Sequence, residues 1–417
     1  MKITMKNSDL QKWLYPAHIV ANAASNNKGE WAGLITILAN KKGVAAYANN
    51  GYVAVVTDHQ SNESYKFEDG GDVTVKTSDF LNSVQSFPAE EDITLSLNGN
   101  EFSIVLASDP EENVSMPVEN KSVVIPVEAV SFAKEATIKK DIFIKLMEKV
   151  VFAIGYEERR PEFLHWMLRL KNKQARAVCG NGRRFSVYDI EGDGIFDCKT
   201  SVNILFFKEH NNVLQKLLAF SKSDTINIKE HIQSNDDDPY YNQTVVSMQD
   251  FRLILINHNP GLKWVDENKF LLRENTQRFT TKVSDWEGAI KSIKATITQD
   301  VKKQQLFHWT AMNFDAEKNV VNVSSSVCMK LNRKVPVLDG NGSINYKCLS
   351  KYLIEVFDMA ELDEYVQWEF DGASSAAVVR FYASTKVSNP PLEKVNISAG
   401  LKESHALFFA AYNKDSN

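Results

Sequence analysis

Three stretches of this chain follow one plan, and a plan that returns at such a period limits the fold more than any other feature of the sequence. Each stretch opens with an amphipathic helix pattern and passes through a strand–turn–strand pair. It then reaches a second helix pattern and ends in another strand pair. The second helix patterns match best. They read Ser78-Asp79-Phe80-Leu81-Asn82-Ser83-Val84, His210-Asn211-Asn212-Val213-Leu214-Gln215-Lys216-Leu217 and Asn345-Tyr346-Lys347-Cys348-Leu349-Ser350-Lys351-Tyr352. Each sets a polar residue suited to an N-cap ahead of apolar residues at helical spacing. Aligned on Leu81, Leu214 and Leu349, the period is 214 − 81 = 133 and then 349 − 214 = 135. Three units of 139 residues account for the 417 of the chain.

The other elements agree with this period. First helices are predicted to start near Ser8-Asp9-Leu10, Lys140-Asp141-Ile142 and Ser284-Asp285-Trp286-Glu287, the last a capping-box pattern. Leu34 to Leu38, Trp166 to Leu170 and Trp309 to Phe314 alternate like strands, as do Asp92 to Leu95, Asp224 to Ile228 and Tyr365 to Trp368. Asn98-Gly99 and Asp371-Gly372 suit hairpin turns that need a positive φ. The expected fold is therefore α+β, with three repeated domains at 1–130, 131–275 and 276–417, each packing two helices on antiparallel sheet.

Composition narrows the function. Hydrophobic residues make up 43% and charged residues 24%, the balance of an ordinary globular chain. No apolar run approaches the ~18 to 20 residues of a membrane span. The opening Met1 to Lys6 alternates like a strand and has no signal-peptide core, which predicts a cytoplasmic protein. The net charge is −5, so any contact with nucleic acid must come from a local basic surface.

Enzyme signatures are missing. Cys179, Cys198, Cys328 and Cys348 form no C-x-x-C pair and match no zinc framework. The sequence contains no H-E-x-x-H, G-x-S-x-G or G-x-x-x-x-G-K-[ST]. Glu191-Gly192-Asp193-Gly194 and Asp236-Asp237-Asp238 are acidic but lack the spacing of a calcium loop, and read as surface loops. Cys179 and His165 fall on adjacent strands, yet nothing nearby supplies an oxyanion hole or a third partner. The expectation is a non-enzyme without metal or cofactor.

The second unit carries a specific likeness. Arg176-Ala177-Val178-Cys179-Gly180-Asn181-Gly182-Arg183-Arg184-Phe185-Ser186-Val187 resembles the A-T-D-G-H-R-L-A motif of the bacterial DNA sliding clamps, the beta subunits of DNA polymerase III. Upstream, Arg160 to Leu168 is similar to the strand that precedes that motif. Downstream, Asn259-Pro260-Gly261-Leu262-Lys263-Trp264-Val265 stands where the family has an F-P-D-Y-R-like stretch. The N-terminal segment and Asn345 to Phe357 also read like their clamp counterparts, so the resemblance runs in order along nearly the whole chain. There are departures. The motif core is Gly180-Asn181-Gly182-Arg183-Arg184-Phe185, and Ala410-Ala411-Tyr412-Asn413-Lys414 stands in place of the family's Met-Pro-x-Arg/Lys-Leu ending. Such divergence suits a clamp encoded by a bacteriophage or another mobile element.

The resemblance implies a homodimer closed head to tail into a ring around double-stranded DNA, in a bacterial cytoplasm or nucleoid or in an infected cell. A threaded ring needs little affinity and slides on phosphates, without sequence specificity. The implied DNA-binding set is Lys28, Lys145, Lys149, Arg159, Arg160, Lys216, Lys291, Lys294, Lys347 and Lys351, with Lys216, Lys347 and Lys351 on second helices. DNA polymerase and clamp loader dock short peptides in the family. The matching pocket here is Leu164, Gly182, Arg184, Phe185, Val265 and Phe408, an apolar slot with a cationic rim that Phe185 would narrow. The subunit seam would join Phe80, Val84 and Phe87 of one copy to Ile293 and Ile297 of the other. The alternatives are a clamp-fold interaction hub that does not encircle DNA and, with less behind it, a metal-dependent nuclease using Asp236 to Asp238.

Overall fold

The computed structural model describes residues 1–23, 31–41, 43–60, 65–123, 132–155, 160–231, 242–257, 262, 264, 266–267, 269, 277–302, 308–326, 330–360, 364–370, 376–382, 394–396 and 401–410. The described residues hold six α-helices: α1 (Asn7–Ala21), α2 (Thr77–Ser86), α3 (Lys140–Val151), α4 (Lys208–Phe220), α5 (Val283–Lys302) and α6 (Ser350–Met359). Among the described residues, the strand pairings with an assigned register are antiparallel. The α+β class expected from the sequence is what the chain adopts.

The repeat is plainer in the elements than in the residues. The strands Leu34–Asn40, Gly43–Asn49 and Val53–Gln60 return as His165–Lys171, Gln174–Gly180 and Arg184–Glu191, each 131 residues on (165 − 34, 174 − 43, 184 − 53). Helices α2 and α4 keep the same offset (208 − 77 = 131). A third copy follows as Trp309–Asp315, Val320–Ser326 and Lys330–Pro336, with α6 in the place of α2 and α4. Two boundaries differ from expectation. Residues 343–349 form a strand, and α6 starts only at Ser350. Ser284 lies inside the first turn of α5, not at its cap.

The chain divides into two compact units, Met1–Ile144 with Asp197–Val202 and Phe206–Leu262, and Lys145–Phe196 with Asn203–Leu205 and Lys263–Asn417. In the first, α1 buries Leu10, Leu14, Ala17 and Val20, and α2 buries Phe80, Leu81 and Val84. Apolar residues at i, i+3 and i+4 make these stripes, as helical geometry requires. Asn7, fully buried at the start of α1, donates from Nδ2 to the carbonyls of Val84, Phe87 and Pro88 and so closes the end of α2. The first hairpin turn falls one residue later than expected. Asn98 pairs with Glu101, which leaves Gly99 (φ 61°) as the first central residue, the type II′ position for glycine.

In the second unit, the aromatic core is built on Trp286 of α5. Its ring stacks on Phe357 of α6 at 4.9 Å and meets Trp368 at 5.4 Å, and Phe314 lies 5.4 Å from Trp368. The Trp286 indole Nε1 donates to Thr281 Oγ1 at 2.8 Å, so the buried donor is satisfied.

Each unit also contains a joint between repeats. In the first, Arg252–Leu255 pairs with Val53–Val56. In the second, Arg184–Glu191 pairs with Lys402–Phe409. The third strand of one repeat takes the last strand of the next, and a single sheet continues through both.

Candidate functional site

The motif turn is a repeated device before it is a site. Asn50 donates its backbone N–H to the Val53 carbonyl at 3.1 Å, and Asn181 donates to the Arg184 carbonyl at 3.0 Å. In both turns the asparagine Oδ1 accepts two backbone N–H groups, from Tyr52 and Val53 and from Arg183 and Arg184. A glycine with positive φ follows each, Gly51 at 90° and Gly182 at 80°. The two turns part only in what comes next. The first leads into Val53-Ala54, the second into Arg184-Phe185.

Phe185 is fully buried. It anchors an apolar cluster with Phe163, Met167, Val178, Val187, Val378 and Phe408, against which Trp264 packs half-buried. Its ring meets Phe163 edge-on at 5.8 Å and Phe408 at 6.2 Å, and its backbone is the register partner of Phe408. Two glycines make room. A Cβ on Gly180 would sit 2.3 Å from the Phe185 ring, and one on Gly182 would sit 2.9 Å from the Phe163 ring. Leu164 is buried at the end of the 3-10 turn Pro161–Leu164. The structure thus brings Phe185 and Phe408 together and sets Gly182 against the same cluster. Val265 lies outside the described residues.

Arg184 corrects the expected cationic rim. It is 3% exposed, ion-paired with Glu355 of α6, and donates from Nη2 to the Phe152 carbonyl. Its guanidinium lies 4.3 Å from the centre of the Tyr352 ring and 5.5 Å from that of Phe152. A buried guanidinium needs a carboxylate and flat partners, and Arg184 has both. The exposed cations around the cluster are Arg183, next along the turn, and Arg160, whose guanidinium lies 5.6 Å from the Phe163 ring centre.

The nominated helix cations fall into two groups. Lys145 pairs with Glu403 at 2.6 Å, and Glu403, 2% exposed, also accepts a 2.6 Å hydrogen bond from the Tyr188 hydroxyl. Lys149 donates to the Met359 carbonyl at 2.6 Å. Both nitrogens already serve the fold. By contrast Lys216, Lys291, Lys294 and Lys351 are exposed on their helices. Lys291 pairs with Glu287, Lys294 with Asp358, and Lys351 lies 3.7 Å from Glu355. Such exposed pairs are weak, on the order of 0.5 kcal/mol, and exchange readily for another anion. Lys347 is not on a helix as expected but on the strand Ser343–Leu349, with Nζ 5.8 Å from the Trp309 ring centre. Alternation along that strand puts it on the exposed side. Lys28 and Arg159 lie outside the described residues.

Four of the five seam positions are core. Phe80, Val84 and Ile293 are fully buried and Phe87 is 8% exposed, while Ile297 is half-buried. Phe80 packs edge-on against Phe102 at 5.6 Å. These side chains hold their helices to the sheets and present no apolar face outward.

Sequence reasoning missed the acidic partners. Arg169 and Arg176 stand directly opposite each other on neighbouring strands, and Glu267, 1% exposed, lies between them at 2.8 and 3.3 Å. Arg176 also grips Asp189 through two contacts of 2.6 and 2.9 Å. Asp189 could have been found, because the hairpin register sets it opposite Arg176. Glu267, Glu355 and Glu403 come from distant segments, and no local signal marks them.

The thiol–histidine pair does not form. The Cys179 thiol points at the His165 backbone carbonyl at 3.6 Å, while the His165 ring Nδ1 faces the Pro161 carbonyl at 2.8 Å. Burial pushes the Cys179 thiol far up, away from the nucleophilic thiolate, and pushes Cys348 up to about 12. Asp193 is paired with Lys173 at 2.6 Å, and the Asp236 to Asp238 run lies outside the described residues. Among the described residues no group of three or more His, Cys, Asp or Glu could hold a metal ion. No described helix is long and apolar enough to cross a membrane.

No family profile and no curated protein matches the sequence. Solved structures do match. The DNA polymerase III subunit beta of Pseudomonas aeruginosa aligns with a TM-score of 0.77 at 12% identity, covering 99% of this chain and 100% of that one. The DNA polymerase III beta chain of Streptococcus pneumoniae gives the same score, identity and coverage. The DNA polymerase sliding clamp of Bacillus subtilis aligns with a TM-score of 0.76 at 11% identity, over 99% of both chains. From end to end, and at only 11 to 12% sequence identity, the fold of this chain is that of the DNA polymerase III beta subunits, the DNA sliding clamps.

Proposed function

We propose that this chain is a DNA sliding clamp, a processivity factor whose copies encircle duplex DNA and tether a replicative DNA polymerase. The observation that carries the proposal is the likeness at TM-score 0.77 over 99% of this chain and the whole of a bacterial beta subunit. The recurrence of one element order three times supports domains at 1–130, 131–275 and 276–417. Three domains per chain make a homodimer the direct route to six. The exposed Lys216, Lys291, Lys294 and Lys351, with Lys28 and Arg159, are the proposed phosphate contacts, while Arg160, beside the Phe163 ring, goes with the apolar cluster. Lys145, Lys149 and Lys347 contribute charge at most, given their places in the fold. Few and weak phosphate contacts agree with a net charge of −5, since topology rather than affinity holds a closed ring.

The apolar cluster around Phe185 and Phe408, flanked by Arg160 and Arg183, is the proposed docking site for short peptides of the polymerase and the clamp loader. Such a protein needs no catalytic group of its own. It would work at the replicating DNA of a bacterial cell, or of a cell infected by a phage that encodes it.

Two measurements test this. Electron microscopy at micromolar concentration should show closed six-lobed rings with a hole that admits duplex DNA. Protein loaded by a bacterial clamp loader onto nicked circular DNA should stay bound at high salt and slide off once the circle is cut. Protein that forms no ring and is not retained on circles would instead be a hub that binds replication proteins without encircling DNA.

A further inference from the structure

The segment after the second repeat carries a tryptophan in an unusual state. Trp264 packs against the Phe163, Met167, Phe185 and Phe408 cluster, and its indole Nε1 is buried without an acceptor. An indole N–H can only donate, and a buried tryptophan ordinarily finds a partner for it. Leaving the donor unmet keeps its full desolvation cost in the folded state. Three residues on, Glu267 is clipped between Arg169 and Arg176. Glu267, close in sequence to Trp264, is thus fixed by two arginines. The cluster is apolar, and among the described residues the exposed cations beside it are Arg160 and Arg183, with Glu162 the acid between Arg160 and Phe163.

We propose that Trp264 is a built-in plug of the partner site, seated on the cluster in the free protein and displaced by a partner segment with a large apolar side chain next to carboxylates. The unmet N–H makes the seated indole a weaker occupant than its area implies, so an incoming side chain without a buried polar atom can replace it. The freed indole regains its hydrogen bond from water, which favours the exchange. The carboxylates of the incoming segment match Arg160 and Arg183. The proposal rests on the cluster being the partner site, and the test separates the two ideas.

The probe is 8-anilinonaphthalene-1-sulfonate, an apolar ring system with one anionic group, titrated by fluorescence into the full chain. A residue that merely lines the site would lose affinity when truncated, whereas a plug gains. Trp264→Ala should bind the dye about tenfold tighter than the unaltered protein, and Trp264→Phe about fivefold weaker. Phenylalanine still plugs the site and has no donor to satisfy. Because Trp264→Ala could bind dye through loosened structure, Trp264→Phe decides. Binding as tight as in the unaltered protein, or tighter, overturns the plug. In the same cuvette a bacterial DNA polymerase III alpha subunit should displace the dye. If the order of the variants holds but the polymerase displaces nothing, the plug stands and the partner assignment falls.

Discussion

At the scale of single residues, the fold has claimed charges that the sequence offered to DNA. Lys145 stands on an exposed-looking helix face one turn from Lys149, and nothing within α3 says that it is engaged. Its partner Glu403 is 2% exposed and comes from the last strand. Removing the lysine leaves the buried carboxylate with the Tyr188 hydrogen bond but without this cation, which costs about 3 kcal/mol. Lys145→Met should therefore lower stability by about 2–3 kcal/mol in urea denaturation. Lys291→Met, whose partner Glu287 is itself half exposed, should change it by less than about 0.5 kcal/mol. Equal stability in the two variants would return Lys145 to the phosphate-binding set. The same logic governs Arg184. A cation two residues after the motif glycine looks like a rim residue in sequence. Only the long-range approach of Glu355 and Tyr352 makes it a buried tie.

At the scale of elements, much was legible because side-chain period and turn chemistry are local. The strands beginning at Leu34, His165 and Trp309 and the helices beginning at Asn7, Lys140 and Val283 fall within a few residues of where the patterns set them. The failure at 345–349 is instructive. Ile344, Tyr346 and Cys348 are buried and Ser343, Asn345 and Lys347 exposed, a strict period of two that belongs to a strand. Cys348, Leu349, Tyr352 and Leu353 also satisfy helical spacing, and the two signals overlap at the boundary. The boundary is set by Ser350, whose hydroxyl is 2.6 Å from both His308 Nδ1 and Thr310 Oγ1. His308 Nε2 in turn meets Ser325 Oγ at 3.0 Å, so the start of α6 is tied to two strands by one buried polar chain. No sequence window contains all four residues, which is why the site was not visible beforehand. Ser350→Ala should cost about 1–3 kcal/mol, because it takes one buried hydrogen-bond partner from each of His308 and Thr310. A loss under about 0.5 kcal/mol would mean that the pair finds other partners.

At the scale of the whole molecule, the same joint is made twice inside the chain and left open once. Val53–Gln60 takes the strand Arg252–Ile256, and Arg184–Glu191 takes Leu401–Ala410. The third member of the first series, Lys330–Pro336, is an edge of its sheet, and so is Asn113–Pro117, the first member of the second series. Unpaired edges invite another strand, and among the described residues each edge lacks the partner that its repeat has elsewhere in the chain. Their charges are opposite. Arg333 and Lys334 are exposed on one edge, and Glu111 and Glu112 are exposed just before the other. The seam of the proposed dimer should therefore be a third copy of the internal joint, made between two chains, with the apolar positions Phe80, Val84, Phe87 and Ile293 supporting it from within. Reversing Arg333 and Lys334 together to Glu should weaken dimerisation by about tenfold or more, as like charges meet across the seam. Combining that change with Glu111→Lys and Glu112→Lys should restore much of the loss, which a merely unfolded variant would not do. Sedimentation equilibrium gives both dissociation constants. A dimer that ignores the first change, or that the second does not rescue, closes through some other surface.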